Sequence, residues 1–114
     1  MADASRAERF VGLWNEGRVE EALGETTDAY SYSDPVMGGP HDRASHVAMM
    51  KQIFEAMPDR RITVRKAWAA DVTEFIEYTW RGTRPDGEVV EHEFFGVLGF
   101  DESGRAARQR HFSL

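Results

Sequence analysis

The sequence contains no cysteine, which excludes disulfide bonds, thiolate metal ligands and thiol catalysis. Basic residues are outnumbered, with 14 Lys and Arg against 20 Asp and Glu and a formal net charge of −6. That balance argues against a nucleic-acid partner, which needs a basic face. No apolar run approaches the ~18 residues of a membrane-spanning helix, and residues 1–6 lack the pattern of a signal peptide. We therefore expect a cytoplasmic protein with no membrane or nucleic-acid partner.

The chain also lacks the motifs that usually hold a cofactor. There is no Gly-x-Ser-x-Gly, no P-loop and no dinucleotide-binding fingerprint. Gly38-Gly39 is not followed by Lys and Ser or Thr, so it indicates a turn rather than a phosphate-binding loop. His41 and His46 flank Asp42, but their spacing differs from the i, i+4 arrangement of a zinc helix. We predict chemistry without a metal or a cofactor.

What the sequence does contain is enough apolar material for one core. The 114 residues are 41% hydrophobic and include 3 Trp, 3 Tyr and 7 Phe. A chain of this length and composition predicts a single domain over residues 1–114.

Helical periodicity predicts three helices. They cover residues 4–16, 18–25 and 43–57. Gly17 is a stop signal after the first, and Asp42 or Ser45 can cap the third.

Period-two alternation predicts five strands. They cover residues 28–34, 61–69, 72–82, 88–100 and 105–113. Tyr30, Tyr32 and Asp34 share one face of the first strand, which Pro35 and the glycine-rich segment after it interrupt.

The helices are grouped early and the strands late, so the fold class is α+β. We expect a curved antiparallel sheet wrapped around the long helix, forming a cone-shaped barrel with an apolar pocket. In strand 61–69, strict alternation puts Trp68 on the face of Ile62 and Val64.

Three segments carry a family resemblance. Residues 10–17 are similar to a first-helix ending in which an aromatic residue is followed by Asn-x-Gly, Asp34-Pro35-Val36 matches a segment bearing a proton-shuttling aspartate, and residues 100–105 resemble a final hairpin. In this order they resemble the nuclear-transport-factor-2-like, or SnoaL-like, superfamily, and within it the ketosteroid isomerase branch. The resemblance implies a cystatin-like cone and a small hydrophobic ligand.

The chain departs from that branch at two positions. The isomerase holds its enolate with a tyrosine and a protonated aspartic acid. The resemblance puts the tyrosine position on Phe10 and the aspartic acid position near Gly96, so both donors are missing. This argues against the isomerase's own reaction.

The candidate catalytic residues are Asp34, His111 and Tyr32. In the pocket, the Asp34 carboxylate can act as a general base; alternatively, it closes the Pro35 turn. His111 can shuttle a proton or donate to an oxyanion, or it lies at a frayed chain end or on a dimer surface.

Further side chains are candidates for binding the substrate, with ordinary core packing as the alternative for the aromatic ones. They are Phe10, Trp14, Tyr30, Phe54, Ile76, Tyr78, Trp80, His92, Phe94 and Gln109. His92 has its own alternative as a rim residue between solvated glutamates. Asp34, two histidines and tyrosines also resemble the water-eliminating site of scytalone dehydratase.

These features predict a cofactor-independent proton-transfer enzyme, an isomerase, cyclase or dehydratase, acting on a small hydrophobic carbonyl compound such as a polyketide or steroid-like ring. Two alternatives stay open. The same cone can bind a hydrophobic ligand without turnover, or its outer sheet face can serve to form a homodimer. A cavity of ~300 Å³ or more, with Asp34 and His111 within hydrogen-bond reach, would favour the enzyme.

Overall fold

A computed structural model of the protein describes residues 4–24 and 26–114. The helices are α1 (Ser5–Asn15), α2 (Val19–Gly24) and α3 (Arg43–Ala56). The strands are β1 (Thr26–Asp34), β2 (Gly38–His41), β3 (Arg61–Ala70), β4 (Thr73–Thr83), β5 (Val89–Phe100) and β6 (Ala106–Ser113). All the predicted elements form, although residue 25, the predicted end of the second helix, lies outside the described residues.

The end of α1 explains the Asn-x-Gly motif. Gly17 has a φ of +79°, and Arg18 N–H donates to the carbonyl of Leu13 at 2.9 Å, which closes the helix end. The Asn15 side chain donates to the carbonyl of Ile62 at 2.9 Å and accepts from its N–H at 2.8 Å. The motif therefore stops α1 and fixes it to β3.

The start of α3 is set by Asp42, one of the two predicted caps. Its carboxylate accepts from the backbone N–H of Ser45 at 2.8 Å. The face that α3 turns toward the sheet carries buried His46, Met49 and Met50.

The structure confirms the predicted α+β class. The strands form one curved, open six-stranded sheet. Its strand order is β2-β1-β6-β5-β4-β3. The predicted antiparallel pairing holds along β3, β4, β5 and β6, but β1 pairs with β6 in parallel. A parallel neighbour is possible here because the long part of the chain from β2 to β5 connects the two strands.

The sequence predicted that the segment after Asp34 only interrupts β1. In the structure this segment also forms a strand. It folds back as β2, in which His41 pairs with Tyr32. Gly39, at a φ of +133°, lies so close to β1 that a Cβ would be 2.6 Å from the Tyr32 carbonyl oxygen. Propensity misses this strand because glycine and proline are poor strand formers, while this close approach requires glycine.

The predicted alternation in β3 is wrong beyond Val64. A bulge between Val64 and Lys66 shifts the register, so that Trp68 pairs with Phe75 on the outer face of the sheet. One inserted residue reverses every side chain after it, which strict alternation cannot show.

The core lies between the concave face of the sheet and the helices. Its largest contributions come from Trp14, Leu23, Met50, Tyr30, Ile76, Tyr78, Phe94, Leu98 and Phe100. Full burial of one such side chain stabilises the fold by about 1.5–3 kcal/mol. Within the described ranges, no helix is long and apolar enough to cross a membrane.

Candidate functional site

A cavity of about 230 Å³ remains between α1, α3 and the concave face of the sheet. Ten of the predicted site residues line it, namely Phe10, Trp14, Tyr32, Asp34, Tyr78, Trp80, His92, Phe94, Gln109 and His111. These residues come from α1, β1, β4, β5 and β6, so the fold gathers side chains from both ends of the chain. His92 is exposed at the mouth of the cavity, which is the rim position given as its alternative in the sequence analysis.

Three predicted ligand contacts lie outside the lining. Tyr30 is 3% exposed and lies behind His46, to which its hydroxyl is hydrogen-bonded. Phe54 packs against the guanidinium of Arg60, whose Cζ is 3.1 Å from the ring centroid. Ile76 is 2% exposed in the core. Tyr30 and Ile76 share a strand face with residues that line the cavity, so the face alone does not decide which side chains reach it.

Asp34 both closes the turn after β1 and lines the cavity, two positions that the sequence offered as alternatives. Its Oδ1 accepts from the backbone N–H groups of Val36 at 2.7 Å and Met37 at 2.5 Å, which closes the turn into β2. Its Oδ2 accepts from the hydroxyl of Tyr32 at 2.6 Å, and the residue lines the cavity. The turn fixes one oxygen and leaves the other in the cavity wall.

Tyr32 is held as a donor rather than as a base. Burial and, next, the charge of Asp34 raise the pKa of the Tyr32 phenol well above its usual value of 10.0. The ring also stacks on His46, with centroids 3.8 Å apart and planes inclined by 23°. The phenol is therefore protonated at neutral pH and oriented toward the carboxylate.

His111 is an ordered part of β6. It pairs with Gly96 across the β5–β6 ladder, and beyond it the N–H of Leu114 donates to the carbonyl of Glu93 at 3.0 Å. Its Nδ1 is 2.6 Å from the Tyr78 hydroxyl, and its Nε2 is 2.9 Å from Oε1 of Gln109. Burial lowers the pKa of His111 to about 4 against the opposing effect of Asp34, so the imidazole is neutral at pH 7.

Asp34 and His111 are not hydrogen-bonded to each other in the described part of the chain. Each belongs to a separate pair, Asp34 with Tyr32 and His111 with Tyr78, and the Tyr32 and His111 rings are 5.2 Å apart between centroids. The cavity is also smaller than ~300 Å³, the lower end of the usual range for ligand pockets. The cone is nevertheless open, and Asp34 is in its wall.

Sequence reasoning missed His46, which is 2% exposed and lines the cavity. Burial, then the nearby His111 and His41, lower the pKa of His46 to about 3, so its ring is neutral. The sequence signal was its position four residues before Met50, on the apolar stripe of α3. Treating it only as a possible metal ligand beside His41 obscured that position.

Methionines form much of the remaining wall, a second feature that the predicted ligand contacts did not include. They are Met37, Met49, Met50 and Met57, joined by Ile53 and Ile62. Unbranched thioether side chains adapt to irregular apolar shapes. The wall therefore suits a hydrophobic ligand.

His41 and His46 point to different partners. His41 contacts the Ser45 hydroxyl at 2.8 Å and the Met37 carbonyl at 3.0 Å, whereas His46 contacts Tyr30. Among residues 4–24 and 26–114, no group of three or more His, Cys, Asp or Glu side chains could hold a metal ion.

A family model described as a SnoaL-like domain matches residues 7–109. Among solved structures, the epoxide hydrolase/cyclase-like enzyme SalBIII, described for a role in pyran ring formation in the polyether salinomycin, has a TM-score of 0.84 at 17% identity, covering 96% of this chain and 88% of that one. A polyketide cyclase candidate from Acidithiobacillus ferrooxidans has a TM-score of 0.74 at 20% identity, covering 97% and 89%.

A protein with a ketosteroid isomerase-like fold from Catenulispora acidiphila, solved in complex with trimethylamine, has a TM-score of 0.84 at 12% identity, covering 95% of this chain and 84% of that one. No curated protein sequence matches the chain. At such identities the solved structures establish the shared fold only. The chemistry has to be argued from the residues of the site.

Proposed function

Because the chain belongs to the SnoaL-like domain family, we propose that it is a cofactor-independent proton-transfer enzyme acting on a small hydrophobic carbonyl compound. Asp34 takes a proton from the carbon next to the carbonyl group, and the enolate then leads to isomerisation, cyclisation or dehydration. Similarity to a polyketide cyclase candidate and a cyclase-like enzyme favours a polyketide-type ring as the substrate.

One observation carries this proposal: the Asp34 carboxylate lies in the wall of an otherwise mostly apolar cavity. A general base must reach the proton that it removes, and an apolar cavity excludes the water that would compete for it. The Tyr32 hydroxyl at 2.6 Å orients the reactive oxygen. These contacts give the carboxylate a defined position instead of the freedom of an exposed side chain.

The test is solvent deuterium exchange. The protein is incubated in D₂O with a panel of cyclic enones and β-keto compounds, and incorporation of label is followed by mass spectrometry. We expect exchange with the wild type and at least a 100-fold loss in Asp34→Asn, in keeping with the ~10²–10⁴-fold contribution of a general base. Asparagine keeps an oxygen that can accept from Val36 and Met37, so the turn is retained.

Asp71→Asn is the matched control. Asp71 is an exposed turn residue with a φ of +57°, a conformation that asparagine tolerates equally well. It should exchange label like the wild type. Equal loss in both variants would show that the effect is structural and would contradict the proposal.

The alternative function is binding of a hydrophobic ligand without turnover, which the methionine-rich wall favours. Its signature is ligand-induced thermal stabilisation with no exchange above background for any carbonyl compound in the panel. That combination would replace the enzyme by a binding module of the same fold.

We also propose that the protein is a homodimer formed through the outer face of its sheet. Trp68, Phe75 and Phe95 contact one another there, with centroid distances of 5.4 to 6.1 Å. The Arg65–Glu93 pair at 3.2 Å adds charges of both signs beside this aromatic patch. An apolar centre with mixed charges around it can pair with its own copy across a two-fold axis.

A further inference from the structure

The first of two unsatisfied donors next to Tyr32 in the cavity wall is the imidazole of His46. Its Nδ1 lies 2.9 Å from the hydroxyl of Tyr30, a buried residue with no other side-chain hydrogen bond in the described ranges. Because a buried hydroxyl that donates to nothing is costly, the Tyr30 O–H donates to Nδ1. The proton of the neutral imidazole is therefore on Nε2, and this N–H has no acceptor among the described residues.

The second unsatisfied donor is the side-chain amide of Gln109. By the same argument the Tyr78 hydroxyl donates to Nδ1 of His111, which puts the His111 proton on Nε2. That N–H needs an acceptor, and Oε1 of Gln109 lies 2.9 Å away. The amide orientation follows from this network, and it leaves Nε2 of Gln109 without a partner in the described chain, although the residue is only 1% exposed.

His46 and Gln109 both line the cavity, as Asp34 does. Tyr30 lies outside the cavity lining, so Nδ1 of His46 is turned away from the cavity and Nε2 lies on the other side of the ring. Tyr32, which donates to Asp34, stacks on His46 and pairs in register with Gln109 across the β1–β6 ladder. The two unsatisfied donors therefore flank the residue that orients the carboxylate.

Trp14 also has an unpartnered buried N–H, Nε1, among the described residues. Its ring contacts are with Phe54 and Arg60 rather than with the histidine and tyrosine cluster. His111 has no free donor, because its Nε2–H is already used by Gln109. In the described ranges, the unpartnered donors next to Tyr32 are therefore those of His46 and Gln109.

We propose that the Nε2–H of His46 and the amide N–H of Gln109 hold the carbonyl oxygen of the ligand and stabilise the negative charge on it during turnover. The α C–H bond breaks, its electron pair forms the enolate with charge on that oxygen, and the proton goes to the Asp34 carboxylate and later returns to carbon. Donors that are already in position in a mostly apolar cavity are effective for such charge. The turnover part rests on the proposed function; the binding of a ketone oxygen does not.

Burial explains how His46 can fill this role over a wide pH range. Because burial and two neighbouring histidines lower its pKa to about 3, the ring keeps one N–H and no charge from pH 5 upward. A neutral imidazole can donate a hydrogen bond to the substrate oxygen without transferring its proton.

The test compares two ligands that differ by the carbonyl oxygen, 1-tetralone and tetralin, by titration of tryptophan fluorescence, since Trp14 and Trp80 line the cavity. His46→Asn keeps an acceptor for Tyr30 but shortens the donor, and Gln109→Glu keeps the acceptor for His111 but removes the amide N–H. We expect each variant to bind 1-tetralone about tenfold more weakly than the wild type, equivalent to about 1.4 kcal/mol. Tetralin affinity should change less than about twofold.

The matched controls are His41→Asn, at the last residue of β2, and Gln52→Glu, on α3; neither side chain is in the cavity lining. Both should bind the two ligands like the wild type. Retained tetralin binding also shows that the variant pocket is folded, and His46→Gln, which restores a donor of similar reach, should recover part of the ketone affinity.

Three results would overturn the proposal: unchanged ketone binding in both variants, equal loss of both ligands, or failure of the wild type to bind 1-tetralone. The outcome is separable from that of deuterium exchange. Oxygen-dependent binding without exchange would keep the donor pair and remove the enzyme. Exchange that depends on Asp34 but not on His46 or Gln109 would keep the enzyme and remove the donor pair.

Discussion

His111 occupies the space that the missing side chain of Gly96 leaves free. A Cβ placed on Gly96 would lie 2.9 Å from both Cε1 and Nδ1 of the imidazole. Gly96 is also the position nearest to the protonated aspartic acid that the family resemblance implies. At this point of the cavity wall the chain therefore has a glycine with a neutral histidine from the neighbouring strand beside it.

We predict that Gly96→Ala displaces His111 and breaks its contact with the Tyr78 hydroxyl. Overpacking at such a site costs about 1–3 kcal/mol of the free energy of unfolding, which urea denaturation measures. Gly99→Ala in the same strand is the control, because the nearest atom to its Cβ, the carbonyl oxygen of Arg108, is 3.9 Å away. Equal stability of the two variants would contradict the close packing of His111 on Gly96.

Acid should destabilise the protein through His46, which is buried, and His111, which is partly buried. Burial lowers the pKa of His46 to about 3 and of His111 to about 4, whereas an unfolded histidine has a pKa near 6.5. The unfolded chain therefore binds more protons at acid pH. The stabilising contribution is complete above pH ~6.5 and is lost as the pH falls toward pH 4.

Between pH 7 and pH 5 we expect the free energy of unfolding to fall by about 2 kcal/mol for each of these histidines, as an upper bound from the linkage relation. Urea titrations at both pH values measure it. His111→Gln should reduce the fall by about half, and His92→Gln, at an exposed histidine, should leave it unchanged. A wild-type stability that is flat between these pH values would show that the histidines are not held neutral.

The three tyrosines should resist ionisation in alkali. Burial is the first cause that raises the pKa of Tyr30, Tyr32 and Tyr78, and the charge of Asp34 adds to it for Tyr32 and Tyr78. Unfolded phenols ionise near pH 10, so the folded state binds more protons above that pH and stability falls as the pH rises further.

We expect phenolate absorbance to appear only together with loss of the far-ultraviolet circular dichroism of the fold. The urea-denatured protein, titrated in parallel, should ionise near pH 10. A phenol that titrates at this pH in the folded protein would mean that one of the three is open to solvent.

Trp68→Glu should dissociate the proposed homodimer. The charge would be placed at the centre of the outer aromatic patch, where it cannot be solvated in an interface. Light scattering should give twice the chain mass of 13.0 kDa for the wild type and a single chain mass for the variant. Gln52→Glu on α3, away from the patch, should remain dimeric; a monomeric wild type would refute the interface.

The order of helices and strands could be read from the sequence because each element carries its own periodic signal. Tyr30, Tyr32 and Asp34 alternate, and Gly17 marks the end of α1. Local patterns gave a wrong prediction where one extra residue shifts the strand register and where the residues have a low strand propensity. The bulge that turns Trp68 outward and the glycine-rich strand β2 were both missed for that reason.

For the candidate site, the sequence identified residue types and faces but not partners. Gln109 and His111 lie on one face of β6, and ten of the predicted side chains, these two included, line the cavity. The direct Asp34–His111 contact that would have favoured the enzyme did not form, and His46 was overlooked. Both outcomes depend on where α3 packs, which no alternation within a strand encodes.

The sequence by itself determined the α+β class, the family and the types of side chain available for proton transfer, since these follow from composition, local periodicity and short motifs. Only the tertiary structure decided which tyrosine binds which histidine, and hence which N–H groups are left without an acceptor. The pairs Tyr30–His46 and Tyr78–His111 join residues 16 and 33 positions apart in the chain. Contacts over such separations are set by the packing of a helix on a curved sheet, where burial also determines the charge state of each group.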